Sequence, residues 1–427
     1  MAYQVRGNIQ ERRLHDTQTL ELTVLSPVHI GTREGKMTGL EFVFSQGQIY
    51  LIDEEKFGRY IKEKNLIDRF VQTTSTGPIR MERFLRETAR MSIPNDLPRV
   101  TSRSIPGGEA GMQDFRPFIR DAMGQVYLPG TSLKGVFRTA VLYQMLKKNP
   151  SLCSEIASKA EAGLDRMTER KKKFYSAQWL QEEHLQSFVL PGGRPGPNED
   201  IMRCLTVRDA YPVGSVRTQI ISINFLSRNV GGGHYWSQQK SRQGEYIGKE
   251  LFLWVEAVVE GKFLLEISWD ESLFSQFQAK NPSSFFPVSG LNNLLSALRE
   301  MNQDLVEHER KFFERIVPKI PAGTTAKAIL RHTETVSEES GAKAAACIRT
   351  WYAKNHENLF RTGFGSGMLS TTVGLALPPG LRQKIRDACG SGRRPGDPAP
   401  KSRRIWRKSK EEFLPMGWMR IVASQNS

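Results

Sequence analysis

The stretch LPGTSLKGVFR, residues 128–138, combines the end of a short strand, a tight turn and the start of a helix. Thr131 or Ser132 can cap the helix N-terminus, because a hydroxyl oxygen there accepts a backbone N–H. Apolar residues at helical spacing predict a helix that runs from the turn to about Lys148. A strand that leads through a glycine turn into a helix N-terminus leaves backbone amides free for a phosphate group.

Two cations follow this turn on one face of the predicted helix. Lys134 and Arg138 are four residues apart, so their side chains lie on the same side, opposite the apolar stripe. With the amides around Gly130 they could bind one backbone phosphate. The order of residues is not that of a Walker A loop. A simple helix cap with two solvated cations explains the pattern equally well.

The flanking sequence mixes strands and helices without a regular β-α-β spacing. It predicts a strand at 19–26, a hairpin about 45–47, helices at 54–70, 79–91, 289–315 and 338–355, a surface loop at 92–116, a hairpin about 260–262 and a last strand near 418–423. Irregular alternation with antiparallel hairpins favours an α+β fold over a doubly wound sheet. The Pro/Gly-rich segment 191–197 suggests a domain boundary near 190–215.

Composition indicates a globular protein with an anionic partner. The 427 residues carry 61 Lys and Arg against 45 Asp and Glu, a net charge of +16. No apolar run approaches the roughly 20 residues of a membrane helix, and the charged N-terminus does not suit a signal peptide. The four scattered cysteines are typical of reduced thiols in the cytoplasm, where we expect the protein to act.

A glycine-rich segment near the C-terminus is a second candidate RNA contact. Gly363, Gly365 and Gly367 would let the backbone approach a ligand closely, and Phe364 could stack on a base. A flexible loop without a ligand explains the same pattern.

Two basic clusters suit nucleic acid. The segment 391–410 carries eight basic residues, among them Arg403 and Arg404, and reads as an extended arm for nucleic acid or an acidic protein surface. A cluster at 170–173 precedes aromatic residues and could bind single-stranded nucleic acid, although a solvated helix face is the alternative.

His29 ends the first predicted strand beside Gly31, where an imidazole could act as an acid or base on RNA. A lone histidine is more often structural. No metal-ligand cluster, nucleophile elbow or carboxylate pair is present in the sequence, so no cofactor is expected.

Five segments, taken in order, resemble one known family. They are 23–31 (TVLSPVHIG), 49–57 (IYLIDEEKF), 128–138, the glycine-rich run 363–367 and 415–421 (PMGWMRI). Together they are similar to the RAMP superfamily of CRISPR proteins. The first and last segments narrow the resemblance to the family of fifth subunits of type III-A effector complexes.

This resemblance implies a ferredoxin-like, RRM-related and Cas7-like core with large helical insertions. We divide the chain into an N-terminal RAMP-like module, residues 1–210, and a degenerate C-terminal module, residues 211–427, with the glycine-rich loop and the basic arm.

The resemblance also implies a non-catalytic role in antiviral defence. The subunit would cap the filament of Cas7-like backbone subunits at the 3′ side of the guide RNA and support guide-RNA maturation. Expected partners are the guide RNA, nearby target RNA, the backbone and small helical subunits, and host nucleases. Candidate RNA contacts are Gly130, Thr131, Ser132, Lys134, Arg138, His29, Gly363, Phe364, Gly365, Gly367, Arg403 and Arg404. A metal-independent endoribonuclease using His29 and a basic scaffold that binds only protein are the alternatives.

Overall fold

The computed structural model describes residues 15–32, 35–75, 77, 80–167, 183–186, 188, 194, 196–229, 231–241, 246–314, 335–389 and 398–424. The basic cluster at 170–173 and the first part of the predicted basic arm, 391–397, lie outside these residues.

Strands and helices are interspersed along the described chain, which confirms the predicted α+β class. In chain order the elements are β1 (His15–Val24), β2 (Met37–Thr38), β3 (Phe42–Ser45), β4 (Gln48–Ile52), α1 (Glu54–Glu63), α2 (Ile67–Ser75), α3 (Met81–Arg83, continued by a π-turn at Phe84–Thr88), β5 (Thr101–Pro106), β6 (Asp114–Phe115), α4 (Gly130–Lys148), α5 (Pro150–Asp165), β7 (Leu205–Val207), β8 (Tyr211–Arg228), β9 (His234–Trp236), β10 (Gln238–Lys240), β11 (Tyr246–Glu250), β12 (Phe252–Asp270), α6 (Glu271–Lys280), α7 (Leu291–Phe312), α8 (Thr335–Lys354), β13 (Leu359–Arg361), α9 (Met368–Thr371), α10 (Pro379–Cys389), β14 (Ser402–Arg407), β15 (Phe413–Pro415) and β16 (Trp418–Ala423).

One antiparallel sheet organises the molecule, with the order β13-β16-β1-β12-β8-β14-β15. β7 pairs with the end of β12, so β16, β1, β12 and β7 lie side by side in part of it. Alternate residues of β1 and β12, such as Leu20, Leu22, Phe263 and Leu265, are buried beneath α4 and α7 in the largest hydrophobic cluster. The other face of these strands is not covered by these two helices.

The predicted hairpin about residues 260–262 is wrong. β12 continues through this segment as one strand of 19 residues. Gly261 has a φ of +143° and lies against Val216 of β8, and the pairing register of β12 with β8 shifts here. Three residues of β8, 214–216, lie opposite Gly261 and form a bulge. β12 continues because β8 pairs with it on both sides of this bulge and β1 pairs with it from Lys262 onward.

A smaller unit built from β3, β4 and β5 with α1 to α3 has its own core. The predicted hairpin about residues 45–47 is confirmed, with Gln46 and Gly47 at positive φ. Asp53 caps α1 by accepting the Lys56 N–H at 3.0 Å. The segment 92–116 is not a loop throughout, because Thr101–Pro106 forms β5, which pairs with β4.

The described part of the predicted basic arm is not an extended tail. Ser402–Arg407 is β14, a strand that pairs with β8. Ile405 is buried and Arg403 is 4% exposed, because alternate residues of this strand face the layer beneath α7. A strand with this many cations is accommodated in the sheet because the buried carboxylate of Glu309 pairs with Arg403.

Both predicted modules contribute to the main sheet, and their division at residue 210 stays a prediction. Within the part of the chain that the structure describes, no helix has both the length and the apolar character needed to cross a membrane.

Candidate nucleic-acid interface

A cleft of about 690 Å³ brings together two segments that the sequence singled out separately. The glycine-rich loop, residues 363–367, contributes residues 364–367 to one wall, and the chain from Pro400 to Arg404 forms another. β8, β9 and β10 supply the floor and the remaining wall. The lining side chains that bear on function are Phe225, Tyr235, Phe364, Arg386, Lys401, Arg403 and Arg404.

The glycine-rich loop is held by close backbone contacts. Phe364 donates its N–H to the His29 carbonyl oxygen at 2.7 Å. Gly363, Gly365 and Gly367 all have φ between +81° and +88°, a region that only glycine adopts without strain. A Cβ at Gly363 would lie 2.5 Å from the His29 carbonyl oxygen. These glycines therefore define a shaped loop, which accounts for the pattern better than unrestrained flexibility does.

Three cation–π pairs surround the cleft. The Arg404 guanidinium lies 4.9 Å from the centre of the Phe225 ring, and the Lys401 ammonium lies 5.5 Å from that of Tyr235. The Phe364 ring, on the opposite wall, lies 5.8 Å from the Arg116 guanidinium. Each ring is half-buried. Aromatic faces that stack bases, next to cations that meet phosphates, are the chemistry of single-strand binding.

Arg403 has a different role from its neighbour Arg404. Its Nε lies 2.8 and 2.7 Å from the two carboxylate oxygens of Glu309, and its guanidinium stacks on Phe312 at 3.7 Å. Arg361 is also near this carboxylate, at 3.8 Å. Glu309, Arg361 and Arg403 are all nearly inaccessible. In this arrangement Arg403 is part of a buried ion cluster that joins β14 to α7 behind the cleft.

His29 is buried against the same loop. Its Nδ1 is 2.7 Å from the Glu256 carbonyl oxygen, and its ring packs edge-on against Phe118 and Phe364. Burial lowers the pKa of His29 to about 4. A neutral, enclosed imidazole of this kind orients the loop and is poorly placed to exchange protons with a ligand.

The segment 128–138 lies apart from the cleft lining. Gly130 packs against the Val207 and Arg208 backbone, and its N–H donates to Asp209 at 2.6 Å. The predicted cap by Thr131 or Ser132 is wrong. α4 begins two to three residues earlier than such a cap requires, at Gly130, with Pro129 in the cap position and no side-chain cap.

The two cations of α4 contact other segments of the same protein. The Lys134 ammonium donates to the Leu205 carbonyl oxygen at 2.7 Å, and Arg138 pairs with Asp200 at 2.5 Å. Burial lowers the pKa of Lys134. The alternative interpretation of two fully solvated cations therefore does not hold for either side chain. That they contact RNA stays a prediction.

Sequence reasoning missed Phe225, Glu309 and Arg386. Phe225 is one of many apolar residues in a long strand, and Glu309 lies in an ordinary amphipathic helix 94 residues from Arg403. For Tyr235 the sequence does hold a signal, since it follows the triple glycine 231–233 and precedes Trp236, a grouping that suits stacking on RNA. No local pattern could show that these segments meet at the end of β14.

Gly363→Ala tests how tightly the loop is fitted, and Gly367→Ala is its matched control. Both positions have positive φ, but a Cβ at Gly367 meets no atom within 4 Å. We expect the control to lose roughly 1–2 kcal/mol of unfolding free energy for the left-handed backbone. The overpacked Gly363→Ala should lose about 2 kcal/mol more. Urea denaturation measures both, and equal losses would contradict the observed packing of this loop.

The free energy of unfolding should fall as the pH is lowered from 7 to 5, above the range in which most carboxylates titrate. Burial lowers the pKa values of His29, His234 and His308 to about 4. Between pH 6.5 and 4 the unfolded chain therefore binds more protons than the folded one, so stability is complete above pH 6.5 and falls as pH falls. We expect a loss of roughly 2 kcal/mol per histidine between pH 7 and pH 5. Urea titrations at both pH values measure it, and unchanged stability would show that these imidazoles are accessible.

The family model and the curated relatives that match this chain all belong to CRISPR proteins of the RAMP type. The model of the RAMP superfamily matches residues 21–316. A curated relative, CRISPR system Cms protein Csm5 of Streptococcus thermophilus, is 34% identical over 152 residues, 31% of this chain and 40% of that protein. The protein of the same name from Enterococcus italicus is 28% identical over 148 residues, 29% of this chain and 42% of that protein. The matches thus span about two fifths of each relative.

Two solved structures share the fold. A chain in a cryo-EM structure of a Csm-crRNA-target RNA ternary complex of a type III-A CRISPR-Cas system superposes with a TM-score of 0.62, at 21% identity, covering 95% of this chain and 100% of that one. The crystal structure of T. onnurineus Csm5 gives 0.56 at 20% identity, covering 94% and 99%. The family match includes the end of β1 and all of α4, β8 and β12, and it extends over well more than half of the 427 residues. The chain therefore belongs to the RAMP superfamily.

Proposed function

We propose that this chain is a non-catalytic, RNA-binding subunit of a type III-A CRISPR effector ribonucleoprotein. It holds the guide RNA near its 3′ side, caps the filament of Cas7-like backbone subunits and supports guide-RNA maturation. The similarity to proteins named Csm5, and to a chain of a Csm-crRNA-target RNA complex, supports this assignment.

The cleft beside the glycine-rich loop carries the RNA-binding part of the proposal. It joins three half-buried aromatic rings to Lys401, Arg404 and Arg116, and its lining acid, Glu309, is already neutralised by Arg403. A single strand could place phosphates near the cations and bases on the rings. Such a surface binds RNA without sequence specificity. This is expected for a guide-RNA subunit, because base pairing between guide and target selects the sequence.

We also infer a ferredoxin-like core. The neighbouring strands β16, β1, β12 and β7 are antiparallel. α4 follows β1 and precedes β7, whereas α7 follows β12 and precedes β16. Both helices contribute to the cluster under one sheet face. This order of two split β-α-β units supports the ferredoxin-like interpretation, with residues 31–125 as an insertion after β1.

The burial of His29 favours a non-catalytic subunit over an endoribonuclease. A general acid or base must reach the proton that it transfers. The imidazole is 1% exposed, and its Nδ1 is engaged by the Glu256 carbonyl oxygen. Among the described residues no group of three or more His, Cys, Asp or Glu could hold a metal ion. We therefore expect His29→Ala to change stability and to leave RNA cleavage at background.

The proposal is tested by tagging the full chain in its native host, purifying it gently, and sequencing the bound RNA with its 3′ ends mapped. We expect repeat-spacer guide RNAs and other effector subunits in the eluate. Deleting the gene and tagging a backbone subunit should then yield guides with altered 3′ ends. A random RNA population would contradict the assignment, and an eluate that contains protein but no RNA would favour a basic scaffold.

A further inference from the structure

The uncovered face of the main sheet carries a row of exposed side chains that are not part of the cleft lining. Val422, Glu21, Leu264 and Tyr211 lie directly opposite one another on β16, β1, β12 and β8. Tyr211, Leu264 and Val422 are 42, 38 and 37% exposed. Their strand neighbours Leu22, Phe263 and Ile421 point the other way and are buried. This row therefore belongs to the face opposite the helices.

Tyr127 extends this row into an aromatic surface. A bridge between Leu128 and Ala210 places it beside Tyr211, and the two rings stack with centroids 5.7 Å apart. Val213, two residues along β8, is 43% exposed. We call Tyr127, Tyr211, Val213 and Leu264 the outer patch.

The charge around the outer patch is opposite to that of the cleft. Two cations close to the outer patch are already paired, Lys262 with Glu21 at 2.9 Å and Arg208 with Glu266 at 2.8 Å. The exposed Arg420 of β16 is on the same face but two strands away from Leu264. Asp209 and Asp121 accept backbone N–H groups. Across the described ranges, neither carboxylate forms an ion pair with a lysine or arginine.

Both carboxylates are in segments next to the stacked rings, because Asp209 is two residues from Tyr211 and the Arg120–Val126 bridge lies one residue from both Asp121 and Tyr127. Partial burial raises the pKa of Tyr127, and the negative charges of Asp209 and Asp121 add to this shift. A phosphate backbone would be repelled here. A cationic side chain would meet two carboxylates and the faces of two tyrosines, which attract cations.

We propose that the outer patch docks a neighbouring protein subunit of the same effector complex, which inserts an arginine or lysine, surrounded by apolar residues, against Tyr127 and Tyr211. This rests on the proposed function. An apolar centre with charged groups at its rim is the common anatomy of a protein interface, and aromatic residues at such centres carry much of the binding energy. The molecule would then use its basic cleft for RNA and its acidic, aromatic face for protein.

The test uses the full chain expressed together with the other effector subunits from its own host. Leu264→Lys puts a like charge where the basic side chain would sit, and Asp121→Asn removes one carboxylate while its amide oxygen keeps the turn. Val71→Lys, on α2 at 58% exposure, is the matched control. We expect Leu264→Lys to reduce the co-purified subunits about 10-fold or more, Asp121→Asn to reduce them less, and the control to leave them unchanged. RNA affinity of the isolated variants should match the parent chain.

A photo-crosslinker identifies what lies on the patch. With p-benzoylphenylalanine at position 211, we expect adducts to a protein subunit at a peptide that contains arginine or lysine. Normal assembly of Leu264→Lys, or adducts to RNA alone, would overturn the docking proposal and leave the RNA-binding assignment intact. If the unaltered chain fails to assemble with these subunits, the proposed function and the docking proposal both fail.

Discussion

Glu309→Gln is expected to lower the free energy of unfolding by about 3–5 kcal/mol, because it leaves two buried guanidinium groups without their carboxylate. Arg403 is bonded to both oxygens of Glu309, and Arg361 lies 3.8 Å from it. Burial would raise the pKa of Glu309, but Arg403 and Arg361 hold it below its ordinary value. The carboxylate is therefore ionised at neutral pH and stabilises both arginines.

Urea denaturation at pH 7 measures this loss, with Glu307→Gln as the control. Glu307 lies on the same helix, two residues away, with its side chain 43% exposed and paired with Arg310. Its loss should be below about 1 kcal/mol, since exposed pairs contribute little. Equal losses in the two variants would show that the buried cluster does not hold β14 to α7.

The double variant Lys401→Ala with Arg404→Ala should weaken the binding of single-stranded RNA by about 10-fold or more, because two cations leave the cleft. The slope of log affinity against log salt should also fall by about 1.4, since each phosphate contact on a single strand releases about 0.7 counterion. Both side chains are half-buried over aromatic rings. Some affinity should remain, because Phe225, Tyr235 and Phe364 can still stack on bases.

Fluorescence anisotropy with a labelled, unstructured RNA at several salt concentrations gives both quantities. Lys62→Ala with Lys64→Ala is the control, since it removes the same charge from the exposed end of α1. The control should keep the affinity and the slope of the parent chain. If both doubles behave alike, RNA binding follows from net charge and not from the cleft.

Local patterns predicted the elements whose partners are near in sequence. The predicted helix start at residue 54 is the start of α1, which Asp53 caps, and the predicted hairpin about 45–47 is the turn between β3 and β4. The α+β class followed from the same reading. These signals succeed because the residues that decide each structure lie within a few positions of one another.

The failures occurred where distant pairing overrides a local turn. The local pattern around Gly261 predicted a turn, yet β12 continues because β8 pairs with it on both sides of this residue and β1 pairs with it from Lys262 onward. The basic segment containing Arg403 looked like an arm because its buried partner, Glu309, is on another element. Charge density reveals neither burial nor pairing.

The candidate site was predicted in parts and not as a whole. The glycine-rich loop and Arg404 were both identified, and the fold places them on one cleft. His29 meets the same loop from behind as a packing residue. Lys134 and Arg138 carried the clearest phosphate-binding pattern, but each is engaged within the protein, Lys134 by the Leu205 carbonyl oxygen and Arg138 by the Asp200 carboxylate. Which cations face a ligand depends on the strand order, and no short motif contains that information.

Ultraviolet crosslinking of the assembled ribonucleoprotein, purified from its host, tests the central proposal most directly. Mass spectrometry of the chain after nuclease digestion identifies the peptides that carry a nucleotide. We expect guide-RNA adducts within 225–239, 364–369 or 401–404, with Tyr235 and Phe364 as the most favoured sites because they present rings to the cleft. Adducts confined to other surfaces, or an assembled complex in which this chain carries none, would contradict the assignment of the cleft as its RNA-binding site.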